Sequence, residues 1–176
     1  DLVVFVGSGV GYNQAAAAFR QWWPDPDAVY EAEAELRVDT LEPLVSLPGG
    51  VEQAVPVGTV AGQPIQHAFI GSCGSSMYDD IAGAARVLRG RRVAEGVRLF
   101  VVPGSEATTR RLLADGTMQC LVEAGAMVLP AGCGPCNDAV VGPLSAGEVS
   151  ISTATNNNHG RFGPRDARLF LGSPET

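Results

Sequence analysis

Apolar residues fall into short continuous runs closed by glycine, proline or serine, and these runs alternate with stretches of helical spacing. The run 2–6 (LVVFV) reads as a buried strand, and residues 13–22 read as a helix after the glycine-rich turn 7–11. Such a turn can cradle a phosphate at a helix N-terminus, but Tyr12 stands where the dinucleotide fingerprint needs its last glycine. A tight strand–helix turn is therefore the expectation. Pro24-Asp25-Pro26-Asp27 marks a boundary. Residues 28–36 read as a helix with Glu31, Glu33 and Glu35 on a solvated face, and 37–60 as short extended pieces. Strands are expected at 67–70, 98–102 and 126–129, and helices at 79–88, 107–114 and 118–124. Alternation of this kind predicts crossovers and a largely parallel sheet in one α/β domain over 1–176. Ligands gather at the carboxyl ends of strands in such sheets. Cys73, Ser105 and the loop holding Cys133 and Cys136 all follow expected strands.

Composition narrows the choices. An apolar fraction of 45% and a charged fraction of 18% describe a folded chain, and 176 residues allow a sizeable core. The net charge of −7 argues against nucleic acid or an anionic membrane as partner. No apolar run is long enough to cross a membrane. The first residues lack the basic region of a signal peptide, and the absence of an initial Met points to a processed product, a fragment or a trimmed form. All twelve basic residues are arginine, which codon bias explains more simply than function. Four cysteines without a secretory signal point to a redox or metal site in a reducing compartment, the cytoplasm, rather than to a disulfide framework.

Cys133-Gly134-Pro135-Cys136 has two chemical readings. It can be a thioredoxin-like dithiol, or half of a metal or cluster site. The dithiol motif belongs early in its domain, after Trp, at the start of a long helix. Here it lies late, after Pro130-Ala131-Gly132, and precedes Asn137-Asp138. Cys73 offers a third thiolate between small residues, which let amides approach sulfur. Three thiolates leave a metal position open for substrate. Cys120, on an expected helix, reads as a buried apolar residue.

From Val38 to Pro174 the chain resembles the aconitase superfamily, in the carboxy-terminal part of the large subunits of 3-isopropylmalate dehydratase and homoaconitase. The matching blocks run in order: Val38-Asp39-Thr40-Leu41-Glu42-Pro43, Phe69-Ile70-Gly71-Ser72-Cys73 with Asp79-Asp80, Val102-Pro103-Gly104-Ser105, and Glu123-Ala124-Gly125-Ala126. Cys133-Gly134-Pro135-Cys136, Ser152-Thr153 with Gly160-Arg161-Phe162-Gly163, and Ser173-Pro174 complete the series. Residues 1–30 match poorly.

The resemblance implies a three-layer α/β sandwich of the aconitase iron–sulfur type. It implies a [4Fe–4S] cluster on Cys73, Cys133 and Cys136, and a hydro-lyase that dehydrates or isomerises a small hydroxy-carboxylic acid. Arg161 would bind a substrate carboxylate, for which a guanidinium fork is suited. Thr155 and Asn156 stand where the family has Asn and a second Arg, which implies a smaller acid, a substrate with fewer carboxylates or one with a different headgroup. The catalytic base would come from a separate swivelling small subunit, and the remaining large-subunit domains would be further partners. His67 and His159 match no catalytic motif and read as surface or supporting residues. Two other functions stay open: a cluster-free binding or assembly module of the same fold, and a CGPC thiol–disulfide oxidoreductase.

Overall fold

A computed structural model describes residues 25–32, 34–35, 37–137 and 141–176. The expected strand at 2–6 and helix at 13–22 lie outside them. The chain divides into two compact units, Asp1–Glu42 and Pro43–Thr176. In the first, the described part of 28–36 forms no helix. Among the described residues Val29 is 96% exposed and Tyr30 49%, so neither supplies a buried stripe, and nine residues are too few to hold a helix by propensity alone. A 3-10 turn at Val38–Thr40 ends the unit, with Arg37 paired to Asp39 at 2.8 Å.

The second unit holds a seven-stranded sheet. Its strands are β1 (Leu44–Ser46), β2 (Ala54–Pro56), β3 (His67–Ile70), β4 (Arg98–Val101), β5 (Met127–Val128), β6 (Val149–Ser152) and β7 (Arg168–Leu171). Their order across the sheet is β2-β1-β7-β6-β3-β4-β5. The five strands from β7 to β5 are parallel, and β1 and β2 are added antiparallel at one edge. The helices are α1 (Tyr78–Leu88), α2 (Glu106–Ala114) and α3 (Thr117–Glu123). Expected and observed limits of β3, β4, β5 and the three helices agree within two residues. β6 and β7 were not foreseen as strands.

Strand alternation distributes the core to two faces. Ile70, Leu99 and Val101 point to one face, where Ile81, Ala84 and Ala85 of α1, Leu112 of α2 and Leu121 of α3 cover them. Phe69, Phe100 and Val102 point to the other, under Cys136, Leu144, Ala154 and Phe162. Among the described residues that second covering layer is built of loops, so the loop bearing Cys136 is itself part of the core. Local chemistry fixes the helix starts. Ser105 accepts a bond from the Thr108 amide at 3.1 Å, and the Asp80 carboxylate accepts from the Met77 amide at 3.0 Å.

His67, read from the sequence as a surface or supporting residue, is not at the surface. It is fully buried on β3, beneath Phe100 and Phe162, with ring centroids 5.3 and 6.1 Å away. Its Nδ1 meets the Ser150 hydroxyl at 2.8 Å across the β3–β6 pair, and the Gly142 backbone is a further polar neighbour of the ring. Burial pushes its pKa down to about 4, and the nearby Arg98 charge acts in the same direction. His159, by contrast, is exposed.

Candidate functional site

Parallel strands bring their carboxyl ends to one edge, and the loops leaving β3, β4, β5 and β6 all begin there. The β3 loop carries Cys73, the β4 loop Ser105, the β5 loop Cys133 and Cys136, and the β6 loop Thr155, Asn156 and Arg161. Sequence reasoning singled out each of these residues.

The β3 exit is held rigidly. The Thr153 hydroxyl, just beyond β6, accepts from the Gly71 amide at 2.8 Å and donates to the Gly71 carbonyl at 2.9 Å. Gly71 has no room for a side chain: a Cβ there would lie 2.6 Å from the Phe69 ring and 2.9 Å from the Val102 carbonyl oxygen. The next residue, Ser72, is 2% exposed and has φ +74°, the one positive φ outside glycine among the described residues. For serine this left-handed conformation costs about 1–2 kcal/mol. It turns the hydroxyl between two loops, 3.4 Å from Cys136 Sγ and 3.9 Å from Cys73 Sγ.

Gly134-Pro135-Cys136 forms a 3-10 turn, with the Cys136 amide donating to the Cys133 carbonyl at 3.1 Å. Gly134 has φ +51°, and a Cβ on it would lie 2.5 Å from a methyl of the buried Val102. Glycine is thus required on both conformational and steric grounds. Pro135 and Cys136 are buried, whereas Cys73 and Cys133 are exposed.

The β6 loop adds charge. Arg161 sends a guanidinium nitrogen to 3.6 Å from Cys136 Sγ. The Cys136 sulfur therefore has two donors beside it, a hydroxyl and a cation. Thr155 packs its methyl within 3.1 Å of where a Gly74 Cβ would be, next to Cys73. Asn156 is half-buried and its Oδ1 accepts from the Asn158 amide at 2.8 Å, closing a local turn. Asn157 was not singled out from the sequence. It is 1% exposed, and its amide donates to the Leu47 carbonyl at 2.6 Å, tying this loop to the segment after β1.

All four cysteines are free. Cys120 lies apart on α3, half-buried rather than buried, its Sγ 3.5 Å from the Ala85 carbonyl. Among the described residues no three His, Cys, Asp or Glu side chains converge closely enough for a single metal ion. One ion holds each sulfur about 2.3 Å from a common centre. Several bridged irons ask less convergence of their thiolates. Soft sulfur donors, one already surrounded by hydrogen-bond donors, suit an iron–sulfur group better than a hard cation. No helix among the described residues is long and apolar enough to cross a membrane.

The chain is similar to known proteins over most of its length. Residues 58–176 match the Aconitase family (aconitate hydratase). A 3-isopropylmalate dehydratase large subunit from Methanopyrus kandleri is 46% identical over 153 residues, 87% of this chain and 37% of that protein. A homoaconitase large subunit from Thermus thermophilus is 44% identical over 152 residues, 86% of this chain and 36% of that protein. A second 3-isopropylmalate dehydratase large subunit, from Archaeoglobus fulgidus, is 44% identical over 158 residues, 90% of this chain and 38% of that protein. The chain thus spans somewhat over a third of the length of these relatives.

Proposed function

The chain belongs to the aconitase family, and we propose that it is the cluster-bearing piece of an aconitase-type hydro-lyase acting on a small hydroxy-carboxylic acid. The observation that carries this reading is the meeting of the Cys73 and Cys136 loops at the Ser72 hydroxyl, with Cys133 on the same turn as Cys136. Cys73, Cys133 and Cys136 would hold a [4Fe–4S] cluster. Bound there, the cluster would supply Lewis acidity toward a substrate hydroxyl.

The protein's own residues prepare the place. The Thr153–Gly71 clamp fixes where Cys73 emerges, and Gly134 lets the Cys133–Cys136 turn lie against Val102. Exposure of Cys73 and Cys133 leaves one side open for substrate, while the buried Cys136 anchors the other. Arg161, exposed beside that sulfur, can turn its remaining N–H groups to a carboxylate. Thr155 and Asn156 line the same loop without charge, which favours a substrate with fewer carboxylates.

No general base is assigned to this chain. His67 is buried in the core, and Nδ1 is occupied by Ser150. We place the base on a swivelling small subunit, and the remaining large-subunit domains complete the enzyme. The relatives' names as large subunits support such partners. We infer that residues 38–174 carry the family part, nearly all of it in the second unit, Pro43–Thr176. Four free cysteines support a reducing compartment, taken here as the cytoplasm.

The test is anaerobic reconstitution with iron and sulfide. Brown protein with broad visible absorbance, lost in Cys73→Ser, is expected. Colourless protein after reconstitution would overturn the cluster assignment.

A further inference from the structure

Ser72 combines three features that the cluster reading alone does not require. It is buried, it adopts a backbone conformation that serine disfavours, and its hydroxyl lies between the sulfurs of two cysteines on different loops. A glycine would relax the backbone, and an alanine would fill nearly the same space. Neither would offer a hydrogen to sulfur. The hydroxyl has one hydrogen to give. At 3.4 Å Cys136 Sγ is its first acceptor, and rotation about the side chain turns the same hydrogen toward Cys73 Sγ at 3.9 Å.

Position is enforced from both sides. The Thr153 hydroxyl pins the peptide groups around Gly71, and Cys136 is packed into the core against Phe69 and Val102. Ser72 therefore has little freedom to relax away. Arg161 approaches the same sulfur from the β6 loop at 3.6 Å, so the hydroxyl is one of two donors there.

We propose that Ser72 is a positioning residue whose hydroxyl, donated to the Cys136 sulfur, sets the reduction potential of an iron–sulfur cluster bound by these cysteines. The inference rests on the cluster reading above. Hydrogen bonds to cluster sulfurs stabilise the more electron-rich, reduced state and so raise its potential. Removing the donor lowers it.

The experiment compares reconstituted wild type with Ser72→Ala, Ser72→Gly and Ser72→Thr. Iron and sulfide per chain, visible spectrum and reduction potential are measured under anaerobic conditions, and thermal unfolding is measured on the apoproteins. Iron content is expected to match wild type in Ala and Gly, with the potential shifted negative in both and restored toward wild type in Thr. The Gly apoprotein is expected to melt at or above the wild-type temperature, because the backbone strain is gone. A space-filling role would move melting and leave the potential alone. Wild-type potential and spectrum in Ala and Gly would overturn the proposal while leaving the cluster reading standing. Loss of loading in both, with folded apoproteins, would also overturn it, since Ser72 would then serve assembly. Wild type that takes up no iron would overturn the cluster reading and this inference together. If Ala misfolds, Gly decides the question.

Discussion

The guanidinium of Arg161 and the sulfur of Cys136 lie 3.6 Å apart, although 25 residues separate them in the chain. That pair joins the two halves of the site, the thiols on the β5 loop and the charge on the β6 loop. A residue read from the sequence as a carboxylate binder thus also touches a cysteine of the neighbouring loop.

Arg161→Ala should lower kcat/KM of the assembled enzyme by about 10- to 100-fold, the value of one charged hydrogen bond. Iron content per chain should stay at the wild-type level, because three cysteines remain. Arg161→Lys keeps the charge but loses the fork, so it should recover only part of the loss. Steady-state kinetics with parallel iron analysis checks both.

Cys120→Ala should leave iron and sulfide per chain unchanged. Its sulfur faces the Ala85 carbonyl on the helical side of the sheet, away from the carboxyl edge. A half-buried, weakly bonded thiol of this kind should cost no more than about 1 kcal/mol in urea unfolding. Serine replacements at Cys73, Cys133 or Cys136 should each abolish stable loading.

Gly134→Ala should destabilise the apoprotein by roughly 2–4 kcal/mol, combining left-handed backbone strain with overpacking against Val102. The Val102 methyl sits in the core and cannot move aside freely. Urea unfolding measures the stability change, and reduced iron uptake would report displacement of the flanking cysteines.

His67 should make stability depend on pH. Burial lowers its folded value from 6.5 to about 4. As pH falls through 6.5 the unfolded chain takes up a proton that the folded protein refuses until about pH 4. Stability from the neutral imidazole is therefore complete above pH 6.5 and is lost between 6.5 and 4, on the order of 3 kcal/mol in all. Arg98 and Glu148, an ion pair beside the imidazole, act on it with opposite signs. Urea midpoints across that window should fall steeply for wild type and more gently for His67→Gln. Equal slopes would show that other groups carry the dependence.

Much of this was readable from the chain, for identifiable reasons. β3 and β4 are continuous apolar runs closed by Gly71 and Pro103, and α1–α3 follow them with helical spacing. Cys73, Cys133 and Cys136 stand at strand ends, where an open parallel sheet collects its ligands. β6 escaped because Ser150 and Ser152 face the buried side, hiding the apolar signal of a strand. Ser150 can be buried there because His67 bonds to it from 83 residues away, a pairing no local pattern announces. Residues 28–36 have helical composition, but the described ones expose Val29 and Tyr30 and form no helix, so propensity alone failed there. Ser72 was legible only as one small residue beside a cysteine. Its φ and its two sulfur neighbours required the fold.

The Thr153–Gly71 clamp has a consequence for how the protein is made. Gly71 emerges from the ribosome 82 residues before the side chain that fixes it. β3 acquires its β6 neighbour only after β4, β5 and the helices between them have been synthesised. Such distant parallel pairings form slowly. During that interval Ser72 has no enforced geometry, and the thiols of Cys73, Cys133 and Cys136 stand uncoupled. The order of events is thus fixed by topology: the polypeptide must close β6 against β3 before the cysteines share a common frame.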